Sequence, residues 1–192
     1  MKKKILFIAV IAICISLAAG GTAAYFTAED TARNVITSDG MDIELVEWQE
    51  TPNGLIPYPD QPIDVMPGGT VSKIVSVTNL DAAAWVRARY TVIMLDANGK
   101  QMQLSDEELS KLVIIEPDAE NWTQKDGWWY YTDAVATDQQ TEPFFTQVRF
   151  AGAEMGNEYQ RCKVIVDVTA QAVQHVNNGV TVLDAAGWPE SD

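Results

Sequence analysis

His175 is the only histidine among 192 residues, so no site built on several imidazoles can be assembled from this chain. It stands beside Asn177-Asn178 at the end of a strand-like run and reads as a surface histidine near a turn. Cys14 and Cys162 are the two thiols, too few for a disulfide framework. Cys162 falls on the apolar face of a strand-like segment, which makes it a small core hydrophobe, with a reactive thiol as the alternative. Asp96-Ala97-Asn98-Gly99 is a fragment of a calcium-loop pattern. The third acidic position and the distal glutamate are missing, so it reads as a hairpin turn. There is no His-Glu-x-x-His, no Gly-x-Ser-x-Gly, no phosphate-binding loop and no dinucleotide fingerprint. Carboxylates are abundant, but no spacing selects a glycosidase-like pair. Trp122, Trp128, Trp129, Tyr130 and Tyr131 form an aromatic concentration. Such rings can stack on sugars. Alternatively, one alternate set fills a core while the other covers a sheet face. No catalytic, cofactor-binding or metal-ligating residue is assigned, and no cofactor is expected.

The elements that must position these residues are almost all strands. Residues 41–48 alternate, with Met41, Ile43 and Leu45 on one face and Asp42 and Glu44 on the other. Residues 49–70, rich in Pro, Gly and polar side chains, read as a long connection, with Met66-Pro67-Gly68-Gly69 as a turn. Alternation resumes in Val71–Thr78, where Val71, Val75 and Val77 share a face. In 84–95, Val86, Ala88, Tyr90, Val92 and Met94 oppose Trp85, Arg87, Arg89 and Thr91. Ser105-Asp106-Glu107-Glu108 is a capping box, which predicts a short helix over 106–112. Val113–Glu116 reads as a strand, Asp118–Gly127 as polar connection, and Trp128–Thr132 as a strand. In 144–150, Phe144, Thr146, Val148 and Phe150 are expected together. Residues 160–173 form the longest strand, and Val180–Leu183 could be a last short one. Seven to nine strands with a single helix predict an all-β fold: an antiparallel β-sandwich, jelly-roll-like, because one sheet alone would leave its apolar side wet.

Lys+Arg is 13 and Asp+Glu is 27, a formal net charge of −14, which argues against nucleic acid as a partner. Met1–Lys4 is basic, Ile5–Ala19 carries no charge, and Gly20-Gly21-Thr22-Ala23-Ala24 is small-residue chain. That order describes a secretory signal peptide over 1–24, with a membrane anchor as the alternative. Cleavage is placed between Ala24 and Tyr25. It removes Lys2, Lys3 and Lys4, taking the charge from −14 to −17, and it leaves Cys162 alone.

After the leader, residues 25–40 read as an N-terminal arm, followed by a β-sandwich domain over 41–192. Tyr25, Phe26, Thr27, Val35 and Ile36 are the candidate donor-strand residues. An extended arm can add to the open sheet edge of a neighbouring copy, and head-to-tail repetition of that contact makes a filament. The other outcome is an ordinary first strand folded onto its own sheet. The run Gly20–Thr27, followed by Ile36-Thr37-Ser38-Asp39-Gly40-Met41-Asp42-Ile43, resembles the start of the TasA/camelysin family. Met66-Pro67-Gly68, Trp85-Val86-Arg87-Ala88, Trp129-Tyr130-Tyr131, Thr141-Glu142-Pro143-Phe144-Phe145 and Ala172-Val173-Gln174 are similar to that family's plan. The resemblance implies processing by a SipW-type signal peptidase and a jelly-roll subunit. It implies homopolymeric fibres of an extracellular biofilm matrix or cell surface, built by donor-strand exchange, with an accessory anchor protein as a possible partner. Camelysin is classed as a metallopeptidase, but the chain lacks a usual zinc motif. A secreted metallopeptidase of that type and a carbohydrate-binding β-sandwich module remain the alternatives.

Overall fold

Apolar residues at every second position produce strands wherever one face can be buried. The computed structural model describes the backbone of residues 34–37 and all of 41–189. In chain order the elements are β1 (Asn34–Thr37), β2 (Ile43–Thr51), β3 (Gly54–Pro57), β4 (Ile63–Asp64), β5 (Thr70–Asn79), β6 (Ala84–Leu95), α1 (Asp106–Leu112), β7 (Val113–Ile115), β8 (Trp122–Lys125), β9 (Trp128–Tyr131), β10 (Phe145–Phe150) and β11 (Lys163–Gln174). One sheet has the order β1-β11-β6-β9-β8, with β4 also on β11; the other has the order β3-β2-β5-β10-β7. From β3 to β8 successive strands alternate between the sheets, and every pair is antiparallel except β1 on β11. The described residues thus form an all-β sandwich with one short helix.

The core lies between the sheets. Val75 and Val77 of β5, Val86 and Ala88 of β6, and Val164, Val166, Val168, Ala170 and Ala172 of β11 are buried in one cluster. β6 and β11 pair over their whole length, from Lys163 opposite Leu95 to Gln174 opposite Ala84. That ladder carries the outward residues Trp85, Arg87 and Arg89 in fixed register with Val173, Gln171 and Thr169. At one corner Asn79, fully buried, donates from Nδ2 to the carbonyls of Ala82 and Val135, tying the end of β5 to two loops. The capping box forms as its sequence predicts: Ser105 Oγ accepts from the Glu108 amide, and the Glu108 carboxylate accepts from the Ser105 amide.

Several elements differ from the pattern expected of them. The connection 49–70 carries the end of β2, all of β3 and β4. Asp118–Gly127 contains β8, which turns into β9 through Asp126 and Gly127, both at positive φ. An Asp-Gly pair, here between Lys125 and Trp128, is a two-residue hairpin signal, because that turn needs positive φ at both centres. Between Phe145 and Gln147 the two-residue step in β10 faces a three-residue step in β5, from Val75 to Ser72, so β5 carries the extra residue; beside it Phe144 and Phe145 are both buried and Thr146 is exposed. Val180–Leu183 forms no strand: Val182–Asp184 is a 3-10 turn and Val180 is 90% exposed. β3 is an edge strand exposed at every residue, Leu55 and Ile56 included. No helix among the described residues is long and apolar enough to cross a membrane.

Candidate functional site

β1 lies at the edge of its sheet. Its four residues run parallel to β11, with Asn34 opposite Thr169, Val35 opposite Ala170, Ile36 opposite Gln171 and Thr37 opposite Ala172. Val35 and Ile36 are therefore paired within their own chain. The leader 1–24, the cleavage pair Ala24 and Tyr25, and the arm residues Phe26 and Thr27 lie outside the described residues.

The outward face of the same sheet, beside β1, is covered by the segment that follows β11. The Trp85 indole donates to the Asn178 carbonyl at 2.7 Å, and the Asn178 side chain bonds Gln174 and Ala186 backbone in turn. Trp85, Trp128, Tyr130, Val173 and Val182 form a second buried cluster, with Trp188 packed against it. Arg87, only 8% exposed, lies inside this cluster. Its guanidinium carbon is 4.2 Å from the Trp128 ring and 4.6 Å from the Trp188 ring, and Arg89 lies 4.6 Å from the same Trp128 ring. Arg87 thus makes cation–π contacts with two indole rings, and Trp128 with two guanidinium groups. The rings of β9 thus divide by parity. Trp128 and Tyr130 build this outer cluster, while Trp129 and Tyr131 pack on the main core.

A second polar group lies inside the sandwich. Lys73 of β5 is 2% exposed and points inward; its Nζ meets Glu47 Oε2 at 2.6 Å and sits 4.1 Å from the Tyr58 ring. Burial holds the Lys73 amine below its ordinary pKa, against the pull of Glu47, Asp60 and Asp167. The Tyr58 phenol is pushed up to about 12, first by burial and then by the negative charge of Glu47. The folded chain therefore holds that proton through a window, from 10 to about 12, in which the unfolded chain loses it, so stability falls as pH rises through the window. Lys73 acts in the opposite sense below 10.5, where the unfolded chain holds its proton and the folded chain releases it, so stability rises with pH there. Above pH 10.5 the tyrosines dominate, with Tyr90 also raised by burial. Urea midpoints measured from pH 10.5 to 12 are expected to fall for the native chain and to fall less for Tyr58→Phe. Equal slopes would show that the phenol is not shielded.

The remaining candidates occupy ordinary places. Cys162 is buried in the main core, its thiol near Met102 Sδ and the Glu158 carbonyl, and burial pushes that thiol up. Asp96 closes a turn, its Oδ1 accepting from the amides of Asn98 and Lys100. His175 is half-buried rather than free on the surface, because its ring meets Trp85 edge-on at 4.5 Å. Among the described residues no three His, Cys, Asp or Glu side chains gather as a metal site. The Lys73–Glu47 pair and the Arg87 stack were not expected. Both had a signal: Lys73 and Glu47 hold inward parity in β5 and β2, and Arg87 alternates with Trp85. No family model, no curated protein and no solved structure matches the chain.

Proposed function

We propose that the chain is an exported structural subunit that assembles with copies of itself into extracellular fibres by exchanging β1. The supporting observation is the seat of β1: a four-residue edge strand near the N-terminal side, paired in parallel with β11 at residues 169–172. Four residues of ladder are little to break, and the same backbone hydrogen bonds can be made to β11 of a neighbour. The closed chain and the exchanged chain then share their contacts, which is the condition for a swap at low cost. The leader-like start and the resemblance to the TasA/camelysin family point the same way, toward a SipW-type peptidase upstream, a homopolymer, and a matrix or cell-surface location. The aromatic face gives the sugar-binding alternative little to work with, since Trp128 is 6% exposed beneath the following segment and Trp129 packs inward.

At −17 per leader-free subunit, copies repel one another. Assembly is therefore expected to accelerate as salt rises, or as pH falls toward the sequence pI of about 4.3. Light scattering and negative-stain microscopy of the chain from Tyr25 onward read this directly. Monomers under every condition would reject the reading. Casein cleavage abolished by a chelator would replace it with the metallopeptidase.

A further inference from the structure

We propose that the segment His175–Pro189 is a clasp that keeps β1 seated, acting through Trp188, Arg87 and Gln171, and that it sets how fast β1 leaves the sheet. Its consequence for fibre growth rests on the assembly proposed above; the clasp itself belongs to the single chain.

The linkage is continuous. Arg87 donates from Nε at 2.9 Å and from Nη2 at 2.6 Å to the one side-chain oxygen of Gln171. It also donates from Nη1 to the Tyr130 hydroxyl at 3.1 Å and from Nη2 to the Pro189 carbonyl at 3.3 Å. Gln171 is fully buried, and it is the residue opposite Ile36 of β1. Among the described residues its Nε2 has no hydrogen-bond partner. The amide cannot turn to relieve this, because turning would set its NH2 group against the guanidinium donors. Arg87 therefore dictates how Gln171 lies, and it does so with the buried NH2 group left unpaired among the described residues.

What holds Arg87 is enclosure. Among the described residues it makes no ion pair, and its partners are an amide, a phenol and a carbonyl. The indole rings of Trp128 and Trp188, at 4.2 and 4.6 Å from the guanidinium carbon, supply cation–π attraction instead. Trp188 is itself pinned by its indole N–H on the Ala185 carbonyl and by an edge contact with Tyr130 at 5.6 Å. Without Trp188, one face of the guanidinium meets water, which solvates it better than the cluster does. Gln171 then loses its orienting partner at the β11 position that carries β1.

Exchange remakes the β1 contacts on a neighbour, so the clasp affects the barrier to opening and leaves the final balance between monomer and polymer almost unchanged. The test is amide hydrogen exchange on the chain from Tyr25 onward. Trp188→Ala is expected to speed exchange at Asn34–Thr37 about tenfold while the amides of β6 keep their protection, and Trp188→Phe to restore most of it. Under assembly conditions Trp188→Ala shortens the lag by a similar factor and leaves the final fibre mass unchanged. Unaltered exchange at 34–37 overturns the clasp whatever the fibres do. Selective acceleration with no fibres from either chain supports the clasp and removes the assembly reading. If Trp188→Ala loosens β6 as well, Arg87→Lys decides, because it keeps the charge and loses the planar fork: selective acceleration supports the clasp, and a second general loss overturns it.

Discussion

Deleting residues 25–36 from the leader-free chain is expected to abolish fibres while leaving a folded, monomeric sandwich. The core of the described residues is drawn from residues 41 onward. β1 contributes one short parallel ladder at the edge of β11, and its loss uncovers that edge. Circular dichroism should keep its β signature, and size exclusion should give a monomer. Normal fibres from the deleted chain in negative-stain micrographs would remove β1 from the assembly. A deleted chain that neither folds nor assembles would show instead that β1 is part of the core.

Glu47→Ala is expected to be the most damaging single change away from the aromatic cluster. It leaves the Lys73 ammonium inside the sandwich without its hydrogen-bonded counter-charge, facing the Tyr58 ring and only the longer-range pull of Asp60 and Asp167. Removing one partner of a buried ion pair costs about 3–5 kcal/mol, which for a chain of this length lowers the melting temperature by roughly 10 °C. The double change Glu47→Leu with Lys73→Met removes both desolvated charges and is expected to restore stability to within about 1 kcal/mol of the native chain. Differential scanning calorimetry on the single and double variants decides. A single variant within about 1 kcal/mol of native would mean that water reaches the pair and screens it.

Much of the sandwich was legible because burial acts on alternate residues. Met41, Ile43 and Leu45 fall inward, as do Val86, Ala88 and Met94, and the Ser105–Glu108 box starts α1 where it should. Periodicity failed where a single local event resets it. Beside the extra residue that β5 carries between Val75 and Ser72, Phe144 and Phe145 are both buried, and a parity count along one strand cannot foresee an insertion in its partner. β8 lay within a polar-looking run, because only Trp122 of its four residues is buried. Its signal was the Asp126-Gly127 turn rather than hydrophobicity. The pairing of β1 with β11 joins residues about 135 positions apart, a separation over which no local pattern carries information. The Arg87 stack was half legible. Trp85 and Arg87 were placed together on the outer face, but Trp188 comes from a segment with no period, seated largely by side-chain contacts.

The direction of β1 has its own consequence. Because β1 lies parallel to β11, a strand arriving from another molecule must enter the seat with the same sense. Every subunit in such a polymer then points one way. One terminus would display a vacant β11 border and the other an unengaged leading peptide. Growth would be vectorial, and a short mimic of residues 34–37 would block only the terminus that offers the vacancy.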